Sequence, residues 1–373
     1  MSEYSNHIAS ALVLGHHDAD GLVSAALLAA YIRRQHPDAE IVTGAVDFHL
    51  ASQWPHFWRH LRLGKYPEWQ SPRFVHDAFA LADFPATFVP DNVRLYYADH
   101  HITAFLSCGA TERLRALYEN HARRGGFVVH DPNEGSCALL LLKTLERAGW
   151  SPPNHLSHAA AVADQIDRAA YPDIESAINH RTSLLAAISA LALSFSEREA
   201  AGIIRALALD AATLEEAFFH LHSRRVQQIL AELDESLEKA GGTLQELNDA
   251  TVVIDWSSPA LLNLRVVRFL EFLHAPDKLY SVRIQASRTR TQWVIRATVA
   301  RSPWIPSPPP GFAHPDCRKL VEPIGGGGHP YAAGFRIAHP SLEAGRRQVW
   351  DFLRSIAALL APLPIDHSMA ATG

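Results

Sequence analysis

Clusters of acidic and histidine residues are the parts of this sequence most able to do chemistry. The first is His16-x-Asp18-x-Asp20, in which the three side chains alternate along the chain. Alternating side chains at an extended strand end share one face, so three ligands converge here without any long-range pairing. Carboxylate-rich sets with one or two imidazoles suit manganese or magnesium better than structural zinc. Taken alone, the cluster is equally well interpreted as a histidine-aspartate turn cap.

A second cluster, Asp99-His100-His101, follows a strand-like run at residues 93–98. It repeats the residue types of the first cluster, and both clusters lie where a strand is predicted to end. The carboxyl ends of parallel strands lie along one edge of a sheet. The repetition therefore favours a shared metal site over two unrelated turns.

Two further carboxylates complete the predicted ligand set. Asp83 closes another strand-like run, and Asp164 lies in the apolar helical run 159–166, where an unpaired carboxylate is costly to bury. A bound metal accounts for both positions. Asp47, which also ends a strand-like run, is an alternative to Asp83, and Asp167 is an alternative to Asp164. Spacing alone leaves both choices open.

Four consecutive glycines, residues 325–328, precede His329 near the C-terminus. Consecutive glycines leave backbone N–H groups free to surround a phosphate, with the imidazole beside it. A flexible turn is the competing interpretation. Two divalent ions about 3.5 to 4 Å apart activate a water and stabilise an in-line phosphoryl transition state. Together with the acidic clusters, the loop predicts hydrolysis of a phosphoester.

Alternating strand-like and helix-like runs must position these residues. The strand-like runs are 8–15, 41–48, 78–83, 93–98 and 127–130, and the helix-like runs are 21–34, 111–124, 134–148 and 155–168. This alternation predicts an α/β fold with a mostly parallel sheet and helices on both faces. A nearly all-helical stretch and a smaller α+β region follow. We therefore predict a catalytic domain at 1–182, a helical linker at 183–245 and a substrate-binding C-terminal domain at 246–373.

The chain has the composition of an ordinary globular protein. Its 373 residues suffice for two domains, and its net charge of −5 argues against a general nucleic-acid coat. Residues 263–320 nevertheless contain ten Lys or Arg against three acids, which suits either an anion-binding face or a solvated basic one. The segment 49–73 is rich in aromatic residues and is predicted to be an ordered insertion over a cleft. No run of about 20 apolar residues or signal-peptide core is present, so we expect a cytoplasmic protein without membrane contact.

The motifs together resemble the DHH phosphoesterase superfamily, which includes RecJ-type exonucleases, nanoRNases, phosphoadenosine phosphatases and cyclic-dinucleotide phosphodiesterases. Residues 16–21 (HHDADG) are similar to its first motif, and Asp99-His100-His101 is the triplet that names it. Residues 325–335 (GGGGHPYAAGF) resemble the glycine-rich motif of the DHH-associated C-terminal domain. The matches span residues 16–335, nearly the whole chain.

The resemblance implies roles for the residues of these motifs. One manganese ion would be held by His16, Asp18 and Asp83. The second would be held by Asp20, Asp83, His100 and Asp164, with Asp83 bridging and magnesium as an alternative metal. Asp99 and His101 would be the catalytic residues, Asp99 supporting the site and His101 contacting the scissile phosphate. The order of the family's motifs favours Asp83 over Asp47 and Asp164 over Asp167.

The resemblance also implies how substrate is bound. Gly326, Gly327, Gly328 and His329 would hold the terminal nucleotide or its phosphate. In many relatives an arginine of a nearby strand assists, usually in a Ser-x-Arg-Ser pattern that is not cleanly present here. The candidates are Arg283, Arg288, Arg296 and Arg301.

The expected function is a manganese-dependent two-metal phosphodiesterase acting on short oligonucleotides or nucleotides in an interdomain cleft. A phosphohydrolase of cyclic dinucleotides or small phosphoanhydrides is one alternative. A non-catalytic nucleotide-binding protein is another. A homodimer is an open alternative to a monomer.

Overall fold

A computed structural model describes residues 8–46, 76–84, 93–101, 104–105, 111–305 and 312–361. Asp47 and the aromatic segment 49–73 lie outside these residues. The chain forms two compact units: Met1–Tyr171 with Asn179–Leu230, and Pro172–Ile178 with Ala231–Gly373. The predicted boundaries at 182 and 245 stay a prediction. No helix among the described residues is long and apolar enough to cross a membrane.

The first unit is built on a sheet of five parallel strands. They are β1 (Ser10–His16), β2 (Glu40–Val46), β3 (Ala78–Ala82), β4 (Arg94–Asp99) and β5 (Phe127–His130), in the order β2-β1-β3-β4-β5. β1 and β3 are almost wholly buried, as expected for parallel strands covered on both faces. β1 and β3 pair with each other, and β3 also pairs with β4, so the carboxyl ends of these three strands are adjacent.

Helices cover both faces of this sheet. Those that contact its strands are α1 (Ala19–Gln35), α2 (Thr111–Ala122), α3 (Cys137–Arg147) and α7 (Glu197–Leu209). The helices α4 (Asn154–Asp167) and α6 (Leu184–Ala192) pack against α1, and a π-helical turn follows at Glu216–His220. Gly15 of β1 faces Ala25 of α1 on one side. Leu12 and Leu14 alternate with it and pack with Tyr118 of α2 on the other. The predicted α/β fold class is confirmed.

The second unit contains a mixed sheet of six strands in the order β10-β11-β9-β8-β7-β6. The strands are β6 (Leu244–Asn248), β7 (Thr251–Asp255), β8 (Tyr280–Arg288), β9 (Trp293–Arg301), β10 (Gly327–His329) and β11 (Ala332–His339). β7 and β8 run parallel, and the other neighbours run antiparallel. The helices are α5 (Ile174–Ile178), α8 (Ser223–Ala240, which begins in the first unit), α9 (Leu270–His274), α10 (Cys317–Val321) and α11 (Leu342–Ile356), with 3-10 turns at Gly241–Thr243, Glu322–Ile324 and Ala357–Leu360.

One face of the mixed sheet carries the core of the second unit. Val282, Ile284 and Val299 pack with Val349 and Leu353 of α11 in one buried cluster. Side chains of a strand alternate between its two faces, so the residues between these apolar positions lie on the opposite face. That opposite face carries the polar and small side chains of β8, β9 and β11.

Candidate metal centre

The turn between β1 and α1 brings the first acidic cluster together. His16 is the last residue of β1, and its Nδ1 lies 2.7 Å from Asp18 Oδ2. Asp18 is the N-cap of α1, where its Oδ1 accepts a 2.9 Å hydrogen bond from Gly21 N. Burial alone would lower the pKa of His16, but the carboxylates of Asp18 and Asp83 beside it hold that pKa well above its usual value. Asp18 therefore caps α1, and its role as a metal ligand stays a prediction.

Close packing of β1 against α1 fixes this turn. A Cβ at Gly15 would lie 2.1 Å from Gly21 O, and a Cβ at Gly21 would lie 2.3 Å from His16 O. Real Cβ contacts essentially never fall below 3.0 Å. Both positions therefore require glycine, because the strand and the first helical turn touch through their backbones. This contact is the physical reason for the glycine after Asp20 in the motif.

Asp20 is held by the first turn of a different helix. Its carboxylate is almost fully buried and accepts hydrogen bonds from Cys137 N at 2.7 Å and Ala138 N at 2.8 Å. The first N–H groups of a helix have no partner within the helix, and its dipole favours a negative charge there. Burial, with the nearby carboxylates of Asp83 and Asp167, nevertheless raises the pKa of Asp20 well above its usual value. A cation beside Asp20 would offset this cost.

Sequence reasoning missed the contribution of α3 to the site. Ser136 caps this helix by accepting a hydrogen bond from Leu139 N, so a cap residue marks the helix start in the sequence. Nothing in the local spacing connects that helix start to Asp20, more than a hundred residues earlier. The link exists only in the folded chain.

Asp83 lies at the centre of the site. It has a left-handed backbone with φ of 59°, which aspartate tolerates better than most residues. Its Oδ2 lies 3.6 Å from His16 Nδ1, and its Oδ1 lies 3.5 Å from His100 Nε2 and 3.4 Å from His101 Nδ1. This Oδ1 is buried and has no hydrogen-bond partner within the described ranges. Burying a carboxylate oxygen without a hydrogen bond costs free energy unless a cation is bound to it.

The two histidines of the Asp99-His100-His101 triplet have different neighbours. Asp99 is fully buried, and its Oδ1 accepts hydrogen bonds from His101 N at 2.9 Å and from His101 Nδ1 at 2.8 Å. The Tyr97 hydroxyl lies 3.1 Å from the other oxygen, Asp99 Oδ2. Burial alone would lower the pKa of His101, but its hydrogen bond to Asp99 and the charge of Asp83 raise it to about 9. Asp99 therefore orients His101.

The His100 side chain approaches two other carboxylates, those of Asp83 and Asp20. Its Nε2 lies 3.5 Å from Asp83 Oδ1 and 3.7 Å from Asp20 Oδ2. Its other ring nitrogen, Nδ1, lies 3.3 Å from the carbonyl oxygen of Glu134. A carbonyl at that position holds the proton on Nδ1 and leaves Nε2 as the ligand atom. Nε2 of His100 therefore points toward these carboxylates, and its role as a metal ligand stays a prediction.

The structure brings Asp167, at the end of α4, to His100: Asp167 Oδ2 lies 3.5 Å from His100 Nε2. Asp164 Oδ2 instead lies 3.3 Å from Arg168 Nη1, although Asp164 Oδ1 is buried and lacks a hydrogen-bond partner within the described chain. Residues three apart in a helix share a face, which is why spacing could not separate the two aspartates. The ligand role of Asp164 stays a prediction.

Three groups of ligand atoms, each within 4.8 Å of one another, occur in this part of the first unit. They are His16 with Asp18 and Asp83, Asp20 with Asp83 and His100, and Asp83 with Asp99 and His101. The mix of carboxylate and imidazole donors fits a divalent cation of the manganese or magnesium type. Because Asp83 belongs to all three groups, the first two can hold two ions that share it.

The glycine loop belongs to the second unit. Gly327–His329 forms the short strand β10, which pairs with β11. A Cβ at Gly326 would lie 2.7 Å from Gly334 O, so the backbone approach there requires glycine. The His329 ring stacks on the Tyr331 ring at 5.1 Å. The predicted contact of this loop with substrate stays a prediction.

Comparisons with known proteins bear on the fold. No protein-family model matches the sequence, and no curated protein matches it. The pGpG-specific phosphodiesterase PggH from Vibrio cholerae is similar in structure, with a TM-score of 0.53 and 16% sequence identity over 93% of this chain and 99% of that chain. This likeness confirms the fold expected from the resemblance to the DHH superfamily.

Two structures of RecJ are also similar to this chain, with TM-scores lower than that of PggH. Manganese-bound exonuclease RecJ has a TM-score of 0.48 and 17% identity over 94% of this chain and 90% of that chain. RecJ from Thermus thermophilus in complex with Mn²⁺ has a TM-score of 0.46 and 18% identity over 95% of this chain. The chain spans about half, 53%, of the length of that protein.

Proposed function

We propose that this protein is a divalent-metal-dependent phosphodiesterase that hydrolyses short oligonucleotides or nucleotides. The observation that carries the proposal is the shared position of Asp83, whose two oxygens face two different sets of ligands. A buried carboxylate between two such sets is what a two-metal site requires. The fold shared with a phosphodiesterase supports the same reaction class.

Each ion has a proposed set of ligands. His16, Asp18 and Asp83 would hold the first, and Asp20, Asp83 and His100 would hold the second. We assign Asp167 as a further ligand of the second ion because of its 3.5 Å distance from His100. Manganese is our proposed metal, and magnesium is the alternative. When bound, the ions supply an activated water and stabilise charge on the phosphoryl group.

The chain's own residues orient the site and hold its protons. Asp99 fixes His101 through Nδ1, which leaves Nε2 to donate a charge-assisted hydrogen bond to a phosphate oxygen. The N–H groups at the start of α3 fix the carboxylate of Asp20 in one orientation. In the second unit, the loop of Gly326, Gly327, Gly328 and His329 is our proposed site for the terminal phosphate of the substrate.

Hydrolysis by purified protein in manganese chloride tests the proposal. The substrates are the linear dinucleotide pGpG, because PggH is named for it, and single-stranded RNAs of increasing length. Asp83→Asn is the test variant, because asparagine tolerates the left-handed backbone and removes only the charge. Asp351→Asn, an exposed aspartate of α11, is the matched control.

We expect the wild type and the control to release mononucleotides, with the rate falling as the RNA lengthens. Asp83→Asn should lose hydrolysis, and calorimetric titration should show that it no longer binds manganese tightly. Retained hydrolysis in Asp83→Asn would refute the two-metal assignment. Manganese binding without turnover of any of these substrates by the wild type would leave a nucleotide-binding protein.

A further inference from the structure

The face of the mixed sheet opposite α11 carries two arginines in directly opposite positions. Arg296 of β9 pairs in register with Arg336 of β11, and Gln285 of β8 pairs with Arg296 on its other side. Both arginine side chains are exposed, and they lie on the face away from α11. We call Gln285, Arg296 and Arg336 the arginine row.

The charges of this row are uncompensated. Like charges directly opposite each other across two strands are destabilising. In the portion of the chain that the structure describes, neither Arg296 nor Arg336 makes an ion pair or a hydrogen bond with a side chain. A bound anion between the two guanidinium groups would turn this unfavourable pair into a favourable site.

Two other arginines of the mixed sheet, both on β8, contact side chains of the protein. Arg283 donates from Nε to Glu271 Oε1 at 3.2 Å, and this glutamate is fully buried on α9, which contacts β7 and β8. The guanidinium of Arg288 lies over the Trp293 ring, 5.5 Å from the ring centroid. Arg283 therefore has its charge neutralised within the protein, whereas the arginine row has not.

Small residues connect the arginine row to the glycine loop along one face. Moving along β11, the next position on this face is Gly334, which pairs with Thr298 and Gly327. Beyond it is Ala332, which pairs with His329. No large side chain stands between the arginine row and His329 at these positions. Ala332 is four positions before Arg336 in the chain, a distance of about 13 Å along a strand.

We propose that the arginine row binds a second phosphate of a linear oligonucleotide whose terminal phosphate lies at the glycine loop. The inference rests on the proposed function and deepens it, because it selects substrates with more than one phosphate over mononucleotides. The chemistry recognised is the phosphate backbone, which is independent of base sequence.

Salt dependence of binding tests the arginine row. A fluorescent single-stranded RNA pentamer is titrated with protein in EDTA, where no hydrolysis occurs, over a fourfold range of salt concentration of roughly 50 to 200 mM. The test variant is Arg296→Gln with Arg336→Gln. The control is Arg290→Gln with Arg347→Gln, which removes two exposed arginines, one in the turn after β8 and one on α11 across the sheet.

Each phosphate contact to a single strand contributes about 0.7 to the slope of log K against log salt concentration. The arginine row binds one phosphate, so its loss should lower the slope by about 0.7. Over a fourfold change in salt, wild-type affinity should fall about 2.6-fold more than that of the test variant. The control should keep the wild-type slope. The thermal midpoint of the test variant should not fall below that of the wild type, because a repulsive pair has been removed.

An unchanged slope in the test variant would overturn the inference, and so would an equal change in the control. A lower thermal midpoint would overturn the claim that the pair is unfavourable without a ligand. Failure of the wild type to bind the pentamer would also overturn the inference. Hydrolysis of the small ester bis(p-nitrophenyl) phosphate by the wild type and by Asp83→Asn decides the proposed function separately, because this ester carries one phosphate.

Discussion

Replacing Gly21 by alanine should loosen the turn that carries the first acidic cluster. A Cβ at this position would lie 2.3 Å from His16 O and 2.5 Å from His16 N. Both are backbone atoms, so no side-chain rotation can relieve the overlap. The end of β1 and the start of α1 would have to separate by roughly 1 Å to restore ordinary contact.

The magnitude follows from two opposing effects. Alanine is favoured over glycine within a helix by about 1 kcal/mol. Overpacking of a buried contact costs about 1–3 kcal/mol, and a clash between backbones belongs at the upper end. We therefore expect a net loss of about 2 kcal/mol in the free energy of unfolding. For a unit of this size, that loss lowers the thermal midpoint by roughly 4–8 °C.

The displacement should also weaken metal binding. His16, Asp18 and Asp20 surround the altered position, and a metal site tolerates errors of only about 0.5 Å in its ligands. A metal that binds the folded state stabilises it by about 2.7 kcal/mol when present at a hundredfold excess over its Kd. The rise in thermal midpoint on adding manganese should therefore be smaller for Gly21→Ala than for the wild type.

Thermal unfolding followed by circular dichroism, in EDTA and in manganese chloride, measures both effects. Gly202→Ala in α7 is the matched control, because a Cβ there would meet only the ends of the Leu221 and His222 side chains, at 3.3 and 3.4 Å. The control should unfold at or above the wild-type temperature. A midpoint for Gly21→Ala in EDTA that equals or exceeds that of the wild type would refute the backbone contact.

Three further predictions concern the same structure. Asp167→Asn should weaken manganese binding at least about tenfold in calorimetric titration, and Asp164→Asn should weaken it less. The reverse order would favour Asp164 as the ligand. Tyr97→Phe should lower the free energy of unfolding in urea by about 1–3 kcal/mol, because it removes the hydroxyl that donates to Phe84 O at 2.8 Å or to Asp99 Oδ2 at 3.1 Å within the core; an unchanged value would contradict this. Cys137 and Cys317 should resist iodoacetamide at mildly alkaline pH until the protein is unfolded, as mapped by mass spectrometry. Both are fully buried, and burial raises the pKa of both thiols, that of Cys317 to about 12. The reactive thiolate is therefore scarce in the folded protein at that pH, and rapid alkylation of the folded protein would refute this.

Local sequence was enough to predict the α/β fold and to locate the parts of the candidate site that are close in sequence. His16 and Asp18 lie two residues apart and contact each other, and Asp99 contacts His101 in the same way. The strand that precedes each cluster was visible as an apolar run. These features depend on the backbone over a few residues, which residue type and periodicity largely determine.

Contacts between distant segments were decided only by the tertiary structure. The central position of Asp83 depends on β3 lying between β1 and β4, and the hydrogen bonds to Asp20 depend on where α3 begins. Asp164 and Asp167 share a helix face, so only the packing of α4 shows which of them approaches His100.

The arginines show the same division between sequence and structure. The family resemblance left Arg283, Arg288, Arg296 and Arg301 as equal candidates for assisting substrate binding. In the folded protein the charge of Arg283 is neutralised by the buried Glu271, whereas strand register places Arg296 opposite Arg336. Spacing along the chain determines which side chains share a face, whereas strand order and register determine which faces and charges meet, because these depend on contacts summed over the whole core.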